Sequence, residues 1–106
     1  MTIRLSPEAE ADAEQHAQWY DEQSPGLRGP FLDAVQSALE VIDGAPLSFQ
    51  RVKRAHARRF VMRRFPFLLI YKVDDEIISV VAIVHVRRRP AYWRTRLQKN
   101  RPRKMP

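Results

Sequence analysis

The sequence contains no cysteine and only three glycines among its 106 residues. Without thiols the chain can make no disulfide, no thiolate nucleophile and no cysteine-ligated zinc or iron–sulfur centre. Such a chain suits a reducing compartment, and a cytoplasmic location is expected. There is no GxxxxGK[ST] or GxGxxG loop, no His-Glu-x-x-His pair, and no Ser-His-Asp set that spacing supports. No cofactor or metal is therefore expected. The longest apolar runs fall far short of the roughly 18 residues that would span a bilayer. The opening stretch, MTIRLSPEAEADAEQ, is acidic and lacks the apolar core of a signal peptide. A soluble protein with no membrane partner is the expectation. The length allows one domain with one core and leaves no room for a separate catalytic module.

Acidic residues are also scarce, but only in the second half. Residues 1–46 set two bases, Arg4 and Arg28, against nine acids, a net of −7. Residues 47–106 set 17 bases against Asp74, Asp75 and Glu76, a net of +14, and the whole chain carries +7. The bases gather in Arg51–Arg64 and Arg87–Lys104, with no acid in either segment. A single basic run reads as a solvated surface. Two runs that flank one hairpin and interleave with aromatics strengthen the case for a surface facing a polyanion, either nucleic acid or an acidic protein segment.

The apolar pattern orders the elements. Thr2–Leu5 alternates polar and apolar residues and is short, as an edge strand would be. Ser6-Pro7-Glu8 then opens a helix, with serine as N-cap, proline where its missing N–H costs nothing, and a carboxylate at the positive end of the helix dipole. Ala9, Ala13, Ala17 and Tyr20, with His16 beside them, form its inward stripe. Ser24-Pro25-Gly26 breaks the chain. A second helix carries Leu27, Phe31, Val35, Ala38 and Ile42 inward and ends at Gly44 before Pro46. The connector from Leu47 to His56 reads as loop. Three strands follow: Arg59–Arg63, Phe65–Val73 opened by Pro66, and Ile77–Val86, with Asp74-Asp75-Glu76 as a solvated turn rather than a metal site. Ile77–Val86 is apolar on both faces apart from Ser79 and His85, which marks a central strand. The expected fold is α+β in the order β-α-α-β-β-β, a helical hairpin packed on a mostly antiparallel sheet as a two-layer sandwich. Residues 1–97 make the domain and 98–106 a basic C-terminal tail.

Three segments carry a resemblance to a known family: WYDEQSPGLRGPFLDAVQSALEVIDGAP, RRFVMRRFPFLLIYKV and VAIVHVRRRPAYWRTR. Together they resemble the ParE branch of the RelE/ParE superfamily, toxins of type II toxin–antitoxin modules, over nearly the whole chain from Leu5 to about Arg96. The most specific parts are the Arg-Phe-Pro-Phe entry to the hairpin and the His-x-x-Arg-Arg-Pro-x-x-Trp-x-x-Arg run at its end. The resemblance implies the fold above and a cognate antitoxin as partner. It also implies one of two activities: poisoning of DNA gyrase, as in ParE-like proteins, or ribosome-dependent mRNA cleavage, as in RelE-like ones.

The residues can be weighed against both chemistries. Cleaving RNA by its own 2′-OH needs a base, an acid and cations on the phosphate, all within hydrogen-bond reach. His85, Arg87 and Tyr92 are the catalytic candidates if the protein is a nuclease. Strand parity puts His85 and Arg87 on one face and Val84, Val86 and Arg88 on the other. A histidine that continues an apolar strand face is more often a packed residue, and the lysine-rich or Glu-His-Tyr sets of the endonuclease branch have no clear counterpart here. His16 and His56 carry no expected chemistry, since one rides a helix and the other lies in the basic connector. The expected surface for target or antitoxin comprises Arg58, Arg59, Arg63, Arg64, Arg87, Arg88, Arg89, Tyr92, Trp93, Arg94 and Arg96, although Tyr92 and Trp93 also suit anchors that pin the chain end to the core. The favoured reading is a gyrase-directed, ParE-like toxin. An mRNA endonuclease acting with the ribosome is the alternative, and a non-catalytic nucleic-acid-binding protein is a third.

Overall fold

The computed structural model describes residues 1–88 and 90–99. Arg89 and residues 100–106, both part of the expectations above, lie outside the described residues. The chain runs β1 (Thr2–Leu5), α1 (Pro7–Gln23), α2 (Arg28–Gly44), β2 (Arg58–Val61), β3 (Phe67–Asp74) and β4 (Ile77–His85). A 3₁₀ turn over Pro90–Trp93 and a short helix α3 (Arg94–Lys99) follow. The strands order as β1-β4-β3-β2, with β1 parallel to β4 and the other pairs antiparallel. The β-α-α-β-β-β order and the mostly antiparallel sheet are therefore as the pattern implied, with β4 central.

Ser6 caps α1 by accepting from the Ala9 N–H at 3.1 Å. The small side chains of Ala9, Ala13 and Ala17 are buried and let α1 lie close against the sheet. From α2 come Phe31, Val35, Ala38 and Ile42, and from the sheet Phe67, Leu69, Tyr71, Ile78, Val80 and Ile83. Each large side chain buried this way stabilises by about 1.5–3 kcal/mol. Tyr20, Phe31, Phe65 and Phe67 form an aromatic knot at one end of this core, with ring centroids 4.9–6.0 Å apart. The connector is largely loop. It touches the outer edge of β2 through the Arg51–Arg58 bridge and the Arg59 N–H to Gln50 O bond, and Tyr71 Oη reaches back to donate to Pro46 O at 2.6 Å.

The sheet also has a covered second face, which the expected two-layer sandwich lacks. Leu68, Ile70, Val81, Ala82 and Val84 point away from the helical hairpin and pack under Trp93 and Leu97 of the chain end. Strands apolar on both faces need cover on both, and the C-terminal turn and α3 supply it. Trp93 is 1% exposed. Lys72 is buried on this face too, and its Nζ donates to Leu97 O at the end of α3 and lies 3.5 Å from Asp74 Oδ2. Helix α3 extends to Lys99, two residues beyond the expected domain boundary.

Two features of β4 decide how the helices sit on it. The first is a bulge: Ile70 pairs with Ala82 and Tyr71 with Val80, so Val81 is the extra residue. Before it the helix-facing positions are Ile78 and Val80, and after it the phase moves by one so that Ile83 faces the helices. The second is that β1 pairs β4 only as far as Leu5 opposite Val80, because the chain turns into α1 at Pro7. Past Val80 the edge of β4 has no strand partner on that side among the described residues. Side chains take the place of one. Asp12 Oδ2 accepts the Ile83 N–H at 3.0 Å, His16 Nε2 donates to Ile83 O at 2.8 Å, and Arg96 Nη1 donates to Val81 O at 3.1 Å. Arg96 also grips Asp12 with both terminal nitrogens, at 2.7 and 3.3 Å.

This clamp predicts a large cost for removing the carboxylate. Asp12→Ala takes the opposite charge from a mostly buried guanidinium and the acceptor from a strand N–H, and should destabilise the fold on the order of 3 kcal/mol in urea unfolding. Asp12→Asn keeps an acceptor for Ile83 and should lose clearly less. Equal loss in both variants would show that the strand-edge bond contributes nothing.

Candidate functional site

The expected basic surface separates into two groups. Part of it is committed to holding the fold. Arg58 Nη1 donates to Phe49 O at 2.8 Å, and Arg59 holds Gln50 Oε1 through Nε and Nη2. Arg94 donates to the Lys53 and Arg54 carbonyls and stacks on Trp93, while Arg96 is bound to Asp12. Trp93, named for the interface and also read as an anchor of the chain end, is buried against the sheet. The other group, Arg63, Arg64, Arg87 and Arg88, is exposed. Arg64 lies over the Phe65 ring, 5.4 Å from its centroid.

The nuclease candidates do not converge. Strand β4 ends at His85, and Val86–Arg88 form a turn closed by the Arg88 N–H to His85 O bond, so strand parity does not carry on to Arg87. The Arg87 backbone N–H donates to His85 Nδ1 at 3.1 Å. In the neutral ring the proton is then on Nε2. The His85 ring meets the edge of Phe67, whereas Tyr92 lies between two guanidinium groups, Arg88 at 4.5 Å and Arg96 at 5.2 Å from its centroid. His85 and Tyr92 share no hydrogen bond or ring contact. Burial, and then the charge of Asp12, push the Tyr92 phenol above its ordinary value against the pull of Arg88 and Arg96. Tyr92 is accordingly a neutral phenol at pH 7 and no base.

Two concavities offer binding surfaces. One is a groove of about 580 Å³ between α2 and β2, lined by Pro30, Ala34, Val41, Phe49, Phe60 and Met62, with Asp33, Arg63 and Arg64 on its rim. Val41 stands 48% exposed in it. The other, about 460 Å³, lies at the open end of the sheet and is lined by His16, Trp19 and Tyr20 of α1 with Pro66, Phe67 and His85. Trp19 is 54% exposed there. Among the described residues no group of histidines and carboxylates could hold a metal ion. Asp74 of the acidic turn instead takes His56 Nε2 at 3.2 Å and Lys72 Nζ.

Sequence reasoning gave no role to Asp12 or Trp19, and it set His16 with the inward stripe of α1 without a partner. A signal was available for Asp12 and His16, since both interrupt an alanine stripe at a spacing of four, which puts them together on the buried face of α1. Trp19 carried none, because an exposed tryptophan next to a stripe residue looks like any surface aromatic.

A family model described as the ParE toxin of type II toxin–antitoxin systems, parDE, matches residues 3–90. Among solved structures the chain is similar to one titled the chromosomal ParDE toxin–antitoxin system from P. aeruginosa. The identity is 19%, over 80% of this chain and 95% of that one, with a TM-score of 0.64. It is also similar to a chain of the toxin–antitoxin complex RelBE2 from Mycobacterium tuberculosis, at 22% identity over 79% of this chain and 95% of that one, with a TM-score of 0.55. At these identities the likeness is one of fold. No curated protein matches. No helix among the described residues is long and apolar enough to cross a membrane.

The site makes a pH prediction. Burial lowers the His16 pKa below its ordinary 6.5, against the Ile83 carbonyl and Asp12, which favour the charged ring, and with Arg88 and His85, which disfavour it. Below pH 6.5 the unfolded chain therefore binds a proton at His16 that the folded chain takes up only at lower pH, and stability falls with the pH. The melting temperature should drop between about pH 7.5 and 5.5, and His16→Gln, which keeps a donor for Ile83 O, should flatten that slope. An unchanged slope would place the titration elsewhere.

Proposed function

Because the chain belongs to the ParE toxin family of type II toxin–antitoxin systems, we propose that it arrests growth by binding a protein target, DNA gyrase, and is neutralised by a cognate antitoxin. The observation that supports binding over RNA cleavage is the separation of the catalytic candidates. Tyr92 is held as a neutral phenol between Arg88 and Arg96, while His85 faces the aromatic pocket by α1. Among the described residues no acid, base and phosphate clamp converge on one point.

The antitoxin is assigned to the groove between α2 and β2. Its apolar floor and the exposed Arg63 and Arg64 suit an amphipathic segment with acidic residues that orders on binding. The outer edge of β2 lies beside this groove, with Val61 52% exposed. Cytoplasmic action follows from both partners being intracellular.

Purified protein should inhibit gyrase supercoiling and leave ribosome-bound mRNA intact in a primer-extension assay. Expression alone should stop bacterial growth, and co-expression of the neighbouring small reading frame should restore it. Cleaved mRNA with unaffected supercoiling would reverse the assignment.

His85→Gln provides an independent check, since glutamine keeps a polar donor but has no proton affinity near neutrality. Toxicity should survive in the folded variant. General acid or base catalysis at this position would instead appear as a loss of about 10²–10⁴-fold in cleavage rate.

A further inference from the structure

The pocket at the open end of the sheet is separate from the groove assigned to the antitoxin, and no residue lines both. Its walls are nearly all rings: Trp19, Tyr20, Phe67, His16 and His85, closed by Pro66. These rings brace one another, with Trp19 edge-on to Tyr20 at 5.1 Å, His16 on Phe67 at 4.4 Å and His85 edge-on to Phe67 at 5.3 Å. A volume of about 460 Å³ is within the range of ligand pockets, roughly 300–1,000 Å³. The contrast between the two tryptophans is informative. Trp93 is 1% exposed, whereas Trp19 keeps 54% of its surface in water although it borders an apolar cavity. Such a ring is the usual form of an interface anchor.

We propose that this pocket docks the protein target of the toxin by taking an aromatic side chain carried on an acidic segment. The proposal rests on the reading of the protein as a target-binding toxin and names the site through which it would bind. Some polar groups around the pocket are already engaged. The His16 Nε2–H is spent on Ile83 O, the Pro66 carbonyl accepts the Val86 N–H, and His85 Nδ1 accepts from Arg87. The wall still offers the His85 Nε2–H, the Trp19 indole N–H and the Tyr20 hydroxyl. An inserted tyrosine hydroxyl can accept from His85, and an inserted tryptophan N–H can donate to the Tyr20 oxygen. Charge selects the flanks of the occupant. Arg87 and Arg88 are exposed in the turn that leaves His85, with the Arg88 guanidinium over the Tyr92 ring. Among the described residues no carboxylate lines the pocket, and Asp12, whose charge reaches His16, is held by Arg96. Acidic residues on either side of the inserted ring would be steered in by the two arginines of this turn.

The test uses the full chain and a synthetic probe, the capped peptide Glu-Asp-Trp-Asp-Glu, followed by NMR shifts. Saturable shifts at Trp19, Phe67 and His85 are expected, with Phe60 and Met62 of the other groove unmoved. Replacing the peptide tryptophan by alanine, or its acids by lysine, should weaken binding at least about tenfold, as should Trp19→Ala in the protein. Trp19→Ala alters an exposed position, so its spectrum and urea midpoint report directly that the fold is kept. Absence of saturable shifts at those three residues overturns the proposal. So does tighter binding of adenosine or uridine monophosphate, which would make the pocket a nucleotide site. Gyrase inhibition without peptide binding removes only this docking site, and peptide binding without gyrase inhibition removes only the choice of target.

Discussion

The fold depends on how one strand edge is finished. Strand β4 is the centre of the sheet, yet β1 accompanies it only to Val80, and a polar strand edge left in an apolar interior costs about as much as the bonds it lacks. Asp12 and His16, one turn apart on α1, take the N–H and the C=O of the same residue, Ile83. Arg96 completes the set by binding both Asp12 and Val81 O. A helix from the start of the chain, a strand from its middle and a helix from its end are thus joined at one carboxylate. The arrangement also removes an open edge at which another chain could add a strand.

The bulge at Val81 determines what the end of β4 presents. Side chains alternate along a strand, so one extra residue exchanges the two faces beyond it. Ile83 therefore meets the helical hairpin, Val84 meets Trp93 and Leu97, and His85 ends against Phe67 beside α1. Without the bulge His85 would lie on the side covered by the C-terminal helix. The aromatic pocket exists because this phase change and the early end of β1 occur on the same strand.

The basic charge of the second half plays two roles that composition does not separate. Arg58, Arg59, Arg94 and Arg96 bind carbonyl or side-chain oxygens within the domain, and their charge mostly serves to tie the connector and α3 to the rest. Arg63, Arg64, Arg87 and Arg88 remain at the surface, the first two lining the groove between α2 and β2 and the other two in the turn that leaves His85. Counting arginines overstates the field available to a partner, because Arg58, Arg59, Arg94 and Arg96 are engaged in holding the domain together.

Much of the architecture was legible in the residues. The Ser6-Pro7 start of α1, the inward stripes of both helices, the turn at Asp75, which takes φ 54°, and the central position of β4 all follow from local periodicity and turn chemistry. Family membership was legible as well, because the motifs at both ends of the hairpin are contiguous. The face on which His85 stands was not, because a bulge is a mismatch between two strands and leaves no mark in either one alone. Asp12 looked like one more surface acid until the missing length of β1 gave it a strand to complete. The second layer over the sheet was legible in part, since Trp93 suits an anchor by its size, but which residues it and Leu97 cover, Leu68, Ile70 and Val84 among them, depends on the assembled sheet. Sequence by itself determined which segments form helices and strands and which face of each helix is apolar, because those depend on neighbours within a few residues. Tertiary structure alone decided which polar side chains replace a strand, which arginines remain at the surface and where the aromatic pocket opens, because each of these depends on partners up to 84 positions apart along the chain.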